Sequence, residues 1–409
     1  MAHLQRLTER LNLKEFQLRA LLDITKAINN NEPKEELLQL YADFIHKELG
    51  IERLKYFEQD GGWHCVLSQG DEGPALEAGV EAYMRDHREI EFIGSGDEQG
   101  VGRFDIAIPV LHRGLPLALL LIGDVDDDED RRMSPTVKHL NFLQTITNLI
   151  AVAMENKRMA KQELVQERNR RELELAAEMQ QMLVPRNLPN DAWMEAAAWY
   201  QPHHQVGGDF YDVVQTGPAE RVLCVADVSG KGMAAALLMS NFQATLRATL
   251  QRNAGPLDRL VRELNTNVME RARGERFITC FIGRVNLETG TMEYVNAGHN
   301  PPLLATPGGE VLELMDGAIA LGMLEQLPFV QTGHATVRGG LLLCYTDGLV
   351  EQENAQGEDF GAGSVRQVLD MLSKAPPSAV NDALMTTFEN HRGTQPYLDD
   401  LALLTCRFK

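Results

Sequence analysis

Val222-Leu-Cys-Val-Ala-Asp-Val-Ser-Gly-Lys-Gly232 decides the fold of the larger part of this chain. The run from Val222 to Val228 is apolar and rich in valine, which predicts an interior strand. Asp227 stands at its end, and Ser229–Gly232 turn the chain into a helix. Three more apolar runs carry Asp at an edge: Asp209 in Val206-Gly-Gly-Asp-Phe-Tyr-Asp212, Asp347 in Tyr345-Thr-Asp-Gly348, and Asp399 in Leu398-Asp-Asp-Leu-Ala-Leu-Leu404. An ionised carboxylate is costly to bury without a partner. Four of them at strand ends predict one gathered site, and converging carboxylates need cations. Hard oxygen donors select Mg²⁺ or Mn²⁺ over Zn²⁺. A two-metal site acidifies a bound water and makes it a nucleophile. The reaction most in need of that help is phosphate ester hydrolysis, which is extremely slow uncatalysed.

Around this strand, Phe277–Val285, Met292–Val295, Leu341–Tyr345 and Leu401–Phe408 read as further strands. Helices are expected over Met233–Arg252, Leu257–Ala272, Val365–Leu372 and Ser378–Asn390. Leu257, Leu260, Val261, Leu264 and Val268 form a buried helical stripe. Upstream, Met133–Leu183 reads as one long helix ended by Pro185. Leu149, Val152 and Met159 keep a 3–4 spacing, the polar block Lys161–Arg171 interrupts it, and Leu175, Met179, Met182 and Leu183 resume it in shifted phase. A stripe this long predicts a parallel two-stranded coiled coil, and so a homodimer; the alternative is a single helix lying along its own domains. Before it lie helices over residues 4–28 and Pro33–Leu49. Strands follow at Leu54–Phe57, Trp63–Ser68, Phe104–Leu111 and Leu115–Ile122. Helices followed by a mixed sheet make a smaller α+β module.

At 409 residues the chain is too long for one ordinary core. A net charge of −20 argues against nonspecific binding to nucleic acid or anionic lipid. No apolar run approaches the roughly 20 residues a membrane helix needs. The start Met-Ala-His-Leu-Gln-Arg-Leu is unlike a signal peptide. Cys65, Cys224, Cys280, Cys344 and Cys406 are scattered within strand-like runs and read as buried free thiols of a reducing compartment. The expected location is cytoplasmic.

The aspartate segments, in this order and spacing, resemble the metal-dependent serine/threonine phosphatases (PPM), in the bacterial subfamily typified by the sporulation stage II phosphatase (SpoIIE-like) and the stress-sigma-factor regulators. Glu172–Pro185 and Asn296-Ala-Gly-His-Asn-Pro301 add to the resemblance, which runs from about residue 172 to the end. It implies an α-β-β-α sandwich over residues 186–409, with two Mn²⁺ or Mg²⁺ ions at one edge. Asp227 would bridge the ions and Val228 would offer its carbonyl. Asp347 and Asp399 would hold one ion, and Asp209 would serve the other side, partly through water. Ser229 stands where eukaryotic members carry a His proposed as general acid. No Arg accompanies the first acidic segment, where His203 and His204 stand instead. The leaving-group acid is therefore unassigned. His299 reads as structural in its Gly-His-Asn-Pro turn, His203 and His204 as non-ligands, and Asp212 and Asp400 as solvated or supporting groups.

Residues 15–158 resemble a GAF sensor domain, an antiparallel sheet with helices, through Leu21–Ile28, Leu37–Gly50, Ile106–Gly114, Leu117–Gly123 and Ile146–Asn156. That resemblance implies a six-stranded sheet with a ligand pocket, joined by a helical coiled-coil linker over 159–185. Three superficial motif matches fail. Gly207–Phe210 lacks the acidic residue that follows in cyclic-di-GMP synthases. Gly230-Lys-Gly232 lacks the upstream Gly and the following Ser/Thr of a P-loop. Asp124–Asp128 lacks the Gly of a calcium loop. The expectation is a phosphoprotein phosphatase acting on phosphoserine or phosphothreonine of a STAS-type anti-sigma-factor antagonist, under control of an unknown small-molecule or protein signal at the GAF domain. The alternative is a pseudophosphatase or a ligand-controlled dimeric scaffold that binds without hydrolysis.

Overall fold

A computed structural model describes residues 2–71, 76–93, 101, 104–123, 135–185, 187–252 and 255–409. The acidic stretch Asp124–Asp128 lies outside these. The chain divides into two compact units, residues 1–167 and 168–409.

In the first unit, helices α1 (Ala2–Asn29) and α2 (Lys34–Asp43) precede strands β1 (Arg53–Gln59) and β2 (Trp63–Gln69). Helix α3 (Glu77–Asp86), β3 (Glu91–Phe92), β4 (Ile106–His112), β5 (Leu115–Gly123) and the long helix α4 (Pro135–Gln181) follow. The strands form an antiparallel sheet in the order β2-β1-β5-β4-β3, five strands among the described residues where six were expected. Side chains alternate across a strand, so the two faces differ. Leu54, Tyr56, Ile108, Leu120 and Ile122 pack with residues of α1, α2 and α4. Phe57, Ala107, Leu119 and Leu121 face the other way, with Val80, Tyr83 and Met84 of α3. The helix expected to reach Leu49 ends at Asp43 and widens into a π-helical turn over Phe44–Glu48.

The second unit opens with β6 (Met194–Gln201), β7 (Phe210–Gly217) and β8 (Glu220–Val228). Helices α5 (Met233–Gln251) and α6 (Leu257–Ala272) lead to β9 (Ile278–Asn286) and β10 (Thr291–Ala297). Short strands β11 (Leu303–Ala305), β12 (Val311–Glu313), β13 (Gly317–Ala318) and β14 (Gly333–Thr336) precede β15 (Leu341–Tyr345). Helices α7 (Asp347–Val350), α8 (Gly361–Leu372) and α9 (Pro377–Arg392) and strand β16 (Leu401–Phe408) complete it.

One sheet runs β13-β10-β9-β8-β7 with β14 on β10, and the other β12-β11-β15-β16-β6. Leu223, Val225 and Phe281 of the first sheet share a core with Leu342, Cys344, Leu404 and Cys406 of the second. On the first sheet's outer face, Cys224, Ala226 and Ile282 meet Met239, Leu260 and Leu264 of α5 and α6. On the second's, Leu343, Tyr345 and Leu403 meet Val365, Leu369 and Leu384 of α8 and α9. Both faces of each central strand are therefore apolar, which is why these strands read as unbroken apolar runs and not as alternations. The α6 stripe is buried as expected; truncating Leu264 to Ala would cost about 2–5 kcal/mol.

Strand β6 was not anticipated. Met194-Glu-Ala-Ala-Ala-Trp-Tyr-Gln201 is alanine-rich and carries no strand signal, yet it pairs along all of β16. Four cysteines are buried, as expected, but Cys65 is only half-buried. Among the described residues, no helix is long and apolar enough to cross a membrane.

Candidate metal centre

The strand ends bring the expected aspartates to one edge of the second unit. Asp227 is the last residue but one of β8, Asp209 immediately precedes β7, Asp347 opens α7 two residues after β15, and Asp399 lies two residues before β16. Strands β7 and β8 belong to one sheet, β15 and β16 to the other, so the site is assembled from both.

Asp209 is 1% exposed. Its Oδ2 accepts a 2.6 Å bond from the Thr346 hydroxyl, which ties the β7 segment to the residue before Asp347. Its Oδ1 is buried and finds no N–H or O–H donor. Burial first, then the Asp227 charge, pushes the Asp209 carboxyl well above the usual carboxylate range. Asp227 is pushed up to about 7, by burial first and then by Asp347, with Asp399 and Asp400 adding; only its contact with Asp209 opposes this. Asp347 rises to about 6, through burial and then the charges of Asp399 and Glu351. The carboxylates thus disfavour one another's charge, and the Lys231 ammonium offsets this only in part, at Asp347.

Asp399 is held differently. Its Oδ2 pairs with the Lys231 ammonium at 2.8 Å, both side chains being 40% exposed, and the same ammonium donates to the Leu398 carbonyl. Among the described residues no three His, Cys, Asp or Glu side chains stand together as a ready metal cage. Asp209, Asp227 and Asp347 are electrostatically joined, while Lys231 occupies Asp399.

The donor set nevertheless fits a divalent cation. A buried carboxylate oxygen without a donor, against a second carboxylate close enough to share a proton, needs positive charge at that point. The backbone at Val228 closes on the same place, because a Cβ on Gly208 would stand 3.0 Å from the Val228 carbonyl oxygen. The Val228 oxygen therefore borders the Asp209 loop.

Asp400 and Asp212 are supporting groups, and neither is solvated. Asp400 is 5% exposed and accepts from the backbone N–H of His203 at 2.7 Å and of Gly208 at 2.6 Å, fixing the loop that delivers Asp209. Asp212 is fully buried and takes both arms of the Arg247 guanidinium, at 2.7 and 2.8 Å, so its charge is already matched by a protein cation. The sequence reading missed Arg247 because it lies 35 residues away on α5. His299 is buried in its turn, with its Nε2 lacking a hydrogen-bond partner. Its backbone N–H donates to Asn296 Oδ1, Thr279 Oγ1 meets its Nδ1, and burial lowers it to about 4, so it is neutral. The rings of His203 and His204 lie 4.2 Å apart, tilted by 46° to each other.

Two further residues stand out only in three dimensions. Gln180, near the end of α4, donates to the Gly207 carbonyl at 2.6 Å and accepts from the Gly207 N–H at 3.0 Å. Arg276 donates to the Ser229 carbonyl at 2.6 Å, bracing the turn after Asp227. A Gln just before a helix-ending Pro was the available signal for the first; nothing local marks the second.

Residues 218–409, just under half of the chain, match the family described as Stage II sporulation protein E (SpoIIE). The chain is 24% identical to Protein IcfG of Synechocystis over 324 residues, 73% of this chain and 50% of that protein. It is 26% identical to Phosphoserine phosphatase RsbU of Bacillus subtilis over 194 residues, 47% of this chain and 57% of that protein. The chain therefore spans little more than half the length of these curated relatives. Among solved structures, the SiaA-PP2C domain of Pseudomonas aeruginosa superposes with a TM-score of 0.53 at 20% identity, over 60% of this chain and 99% of that one. The C-terminal half is thus similar to the SpoIIE family and has a PP2C-like fold, and one of the relatives it resembles is named a phosphoserine phosphatase.

Proposed function

We propose that this protein hydrolyses phosphoserine or phosphothreonine on a regulatory partner, using Mn²⁺ or Mg²⁺ held by Asp209, Asp227, Asp347, Asp399 and the Val228 carbonyl. The observation that carries this reading is the buried, donorless Asp209 Oδ1 beside the raised Asp227 and Asp347 carboxyls, at one edge of a SpoIIE-like domain. Bound divalent ions supply Lewis acidity to a phosphoryl group and to a water.

The chain's own residues set the stage for that chemistry. Thr346 orients one Asp209 oxygen, leaving the other free to ligate. Asp400 holds the 203–208 loop through two charge-assisted bonds, so Asp209 needs no rearrangement to engage. Asp227 touches Asp209 and feels the charges of Asp347, Asp399 and Asp400, a central place that suits it to bridging. Lys231 is the cation nearest the site's outer side. Were Asp399 to hold an ion, the Lys231 ammonium would be free to meet a phosphoryl oxygen, a role left open by the missing Arg. The leaving-group acid stays unassigned; Ser229 Oγ accepts from the Phe277 N–H.

Control falls to the N-terminal region: a GAF-like sensor over 15–158, a linker over 159–185 and the phosphatase over 186–409. The Gln180 clamp on Gly207 supports this. A shift or rotation of the α4 end would strain two hydrogen bonds on the loop that carries Asp209. Leu175, Met179 and Met182 leave an apolar stripe 60–70% exposed on the same helical stretch, which supports pairing with a second copy as a coiled coil. The proposed substrate is a phosphorylated STAS-type protein and the proposed setting is the cytoplasm.

One observation favours a second reading, a pseudophosphatase that only binds. Three carboxylates do not form a closed cage, and Lys231 caps the fourth. Release of phosphate from an aryl phosphate and a phosphoserine peptide separates the two. Turnover that requires Mn²⁺ or Mg²⁺ and vanishes in Asp227→Asn supports hydrolysis. A folded, metal-loaded protein with no turnover supports the rival.

A further inference from the structure

We propose that Gln352 is a positioning residue of the metal centre: its side-chain amide ties the segment that delivers Asp399 to the segment that delivers Asp347. The inference rests on the metal reading above and adds a residue to it. Asp347 opens the short helix α7, and Gln352 follows that helix by two residues. Gln352 is 1% exposed. Its Nε2 donates to the Glu353 carbonyl at 3.0 Å and to the Pro396 carbonyl at 3.1 Å, and its Oε1 accepts from the Leu398 N–H at 3.1 Å. Two carbonyls and one N–H around the amide decide which end is the oxygen. The backbone carbonyl of Gln352 accepts from the Phe360 N–H at 2.9 Å, so the residue is itself anchored.

Residues 396–398 need such a partner. They precede β16, which begins at Leu401, so no strand ladder takes up their backbone groups, and those groups must be paired elsewhere. Pro396 has no N–H to contribute. The Leu398 carbonyl accepts from the Lys231 ammonium, so Leu398 is held by Gln352 through its N–H and by Lys231 through its oxygen. Were an ion to draw Lys231 away from Asp399, the Gln352 bonds would still hold the segment. The two turns also touch directly. A Cβ on Gly348 would stand 1.9 Å from the Asp400 carbonyl oxygen and 3.3 Å from the Asp399 Cβ, so only glycine lets the Asp347 turn lie this close. Contact at Gly348 sets how near the turns approach, and the Gln352 amide sets how one is placed along the other. An apolar side chain would fill the same space without burying an amide; what the amide adds is the hydrogen bonds. Carboxylates held in place beforehand lose less freedom when an ion binds, and groups that orient metal ligands change metal affinity when removed.

The test is Mn²⁺ binding to the full-length protein, by calorimetry well below the melting temperature, with no substrate present. Gln352→Met keeps the volume and removes the three side-chain bonds; it weakens Mn²⁺ binding about 10-fold. Asn381→Ala is the control for a loss that is only structural. Asn381 is 3% exposed and accepts from the Thr405 hydroxyl at 2.5 Å; its removal lowers the melting temperature and leaves Mn²⁺ affinity at the wild-type value. Should Gln352→Met not fold, Gln352→Asn is read in its place: one methylene shorter, it cannot span Pro396 and Leu398 together, and it weakens Mn²⁺ binding in the same direction. The inference is overturned if wild type binds Mn²⁺ and the Gln352 variant binds it equally well, or if Asn381→Ala loses as much affinity. A wild-type protein that binds no Mn²⁺ overturns the metal reading itself, and this inference with it.

Discussion

Removing a carboxylate from the centre should stabilise the metal-free protein, and Asp227→Asn is the sharpest case. In the fold Asp227 titrates at about 7, against an ordinary value of 3.8. Each unit of such a difference corresponds to 1.36 kcal/mol, so holding the charged form at pH 8 costs up to roughly 4 kcal/mol. Water reaching the partly exposed carboxyl lowers the figure to about 2 kcal/mol. The folded-state value lies above the unfolded one. The contribution to stability is therefore fully present below about pH 4 and is lost as pH rises through 7. Asparagine has nothing to lose over that window. In EDTA at pH 8, calorimetry should find the second unit of Asp227→Asn melting about 4–8 °C above wild type, with the gap closing near pH 4. Adding Mn²⁺ should raise the wild-type transition and leave the variant where it was. A variant no more stable than wild type at pH 8, or a gap that persists unchanged at pH 4, would refute the claim that this carboxylate is held against its neighbours' charge.

Other outcomes follow from individual contacts. Arg247→Met strands the fully buried Asp212 charge and should cost about 3–5 kcal/mol by denaturant titration, with most of the loss recovered when Asp212→Asn is added. Lys231→Ala removes the ammonium from Asp399; Mn²⁺ should then bind up to about 5-fold more tightly by calorimetry while KM for a phosphopeptide rises, and unchanged metal affinity would show that the lysine does not compete. Gln180→Ala frees the Gly207 loop and should lower kcat about 10-fold with little change in KM, whereas an effect on KM alone would place Gln180 at substrate binding.

How much of this was legible in the sequence depended on whether a feature was local. Strands β8, β15 and β16 are buried on both faces, so Val222–Val228, Leu341–Tyr345 and Leu401–Phe408 announced themselves as apolar runs, and the Asp at each edge was visible with them. The α6 stripe was equally plain, because its burial follows helical spacing. Strand β6 was hidden, since three alanines and a glutamate favour no strand and only pairing with β16 makes one. The polar network was hidden for the same reason. Asp212 and Asp400 look like solvent-facing neighbours of Asp209 and Asp399, yet Arg247 and the His203–Gly208 loop claim them from positions 35 to 197 residues distant. Lys231 on Asp399 could not be read from a Ser-Gly-Lys-Gly turn at all.

The most direct test of the central claim is release of inorganic phosphate from a phosphoserine-bearing STAS-domain protein by the full-length chain. With Mn²⁺ or Mg²⁺ present, the account predicts steady turnover, none in EDTA, and a fall of about 10³-fold or more in an Asp227→Asn variant whose circular dichroism matches wild type. Equal binding of the phosphoprotein by both proteins, with no phosphate released by either under any divalent ion, would contradict it.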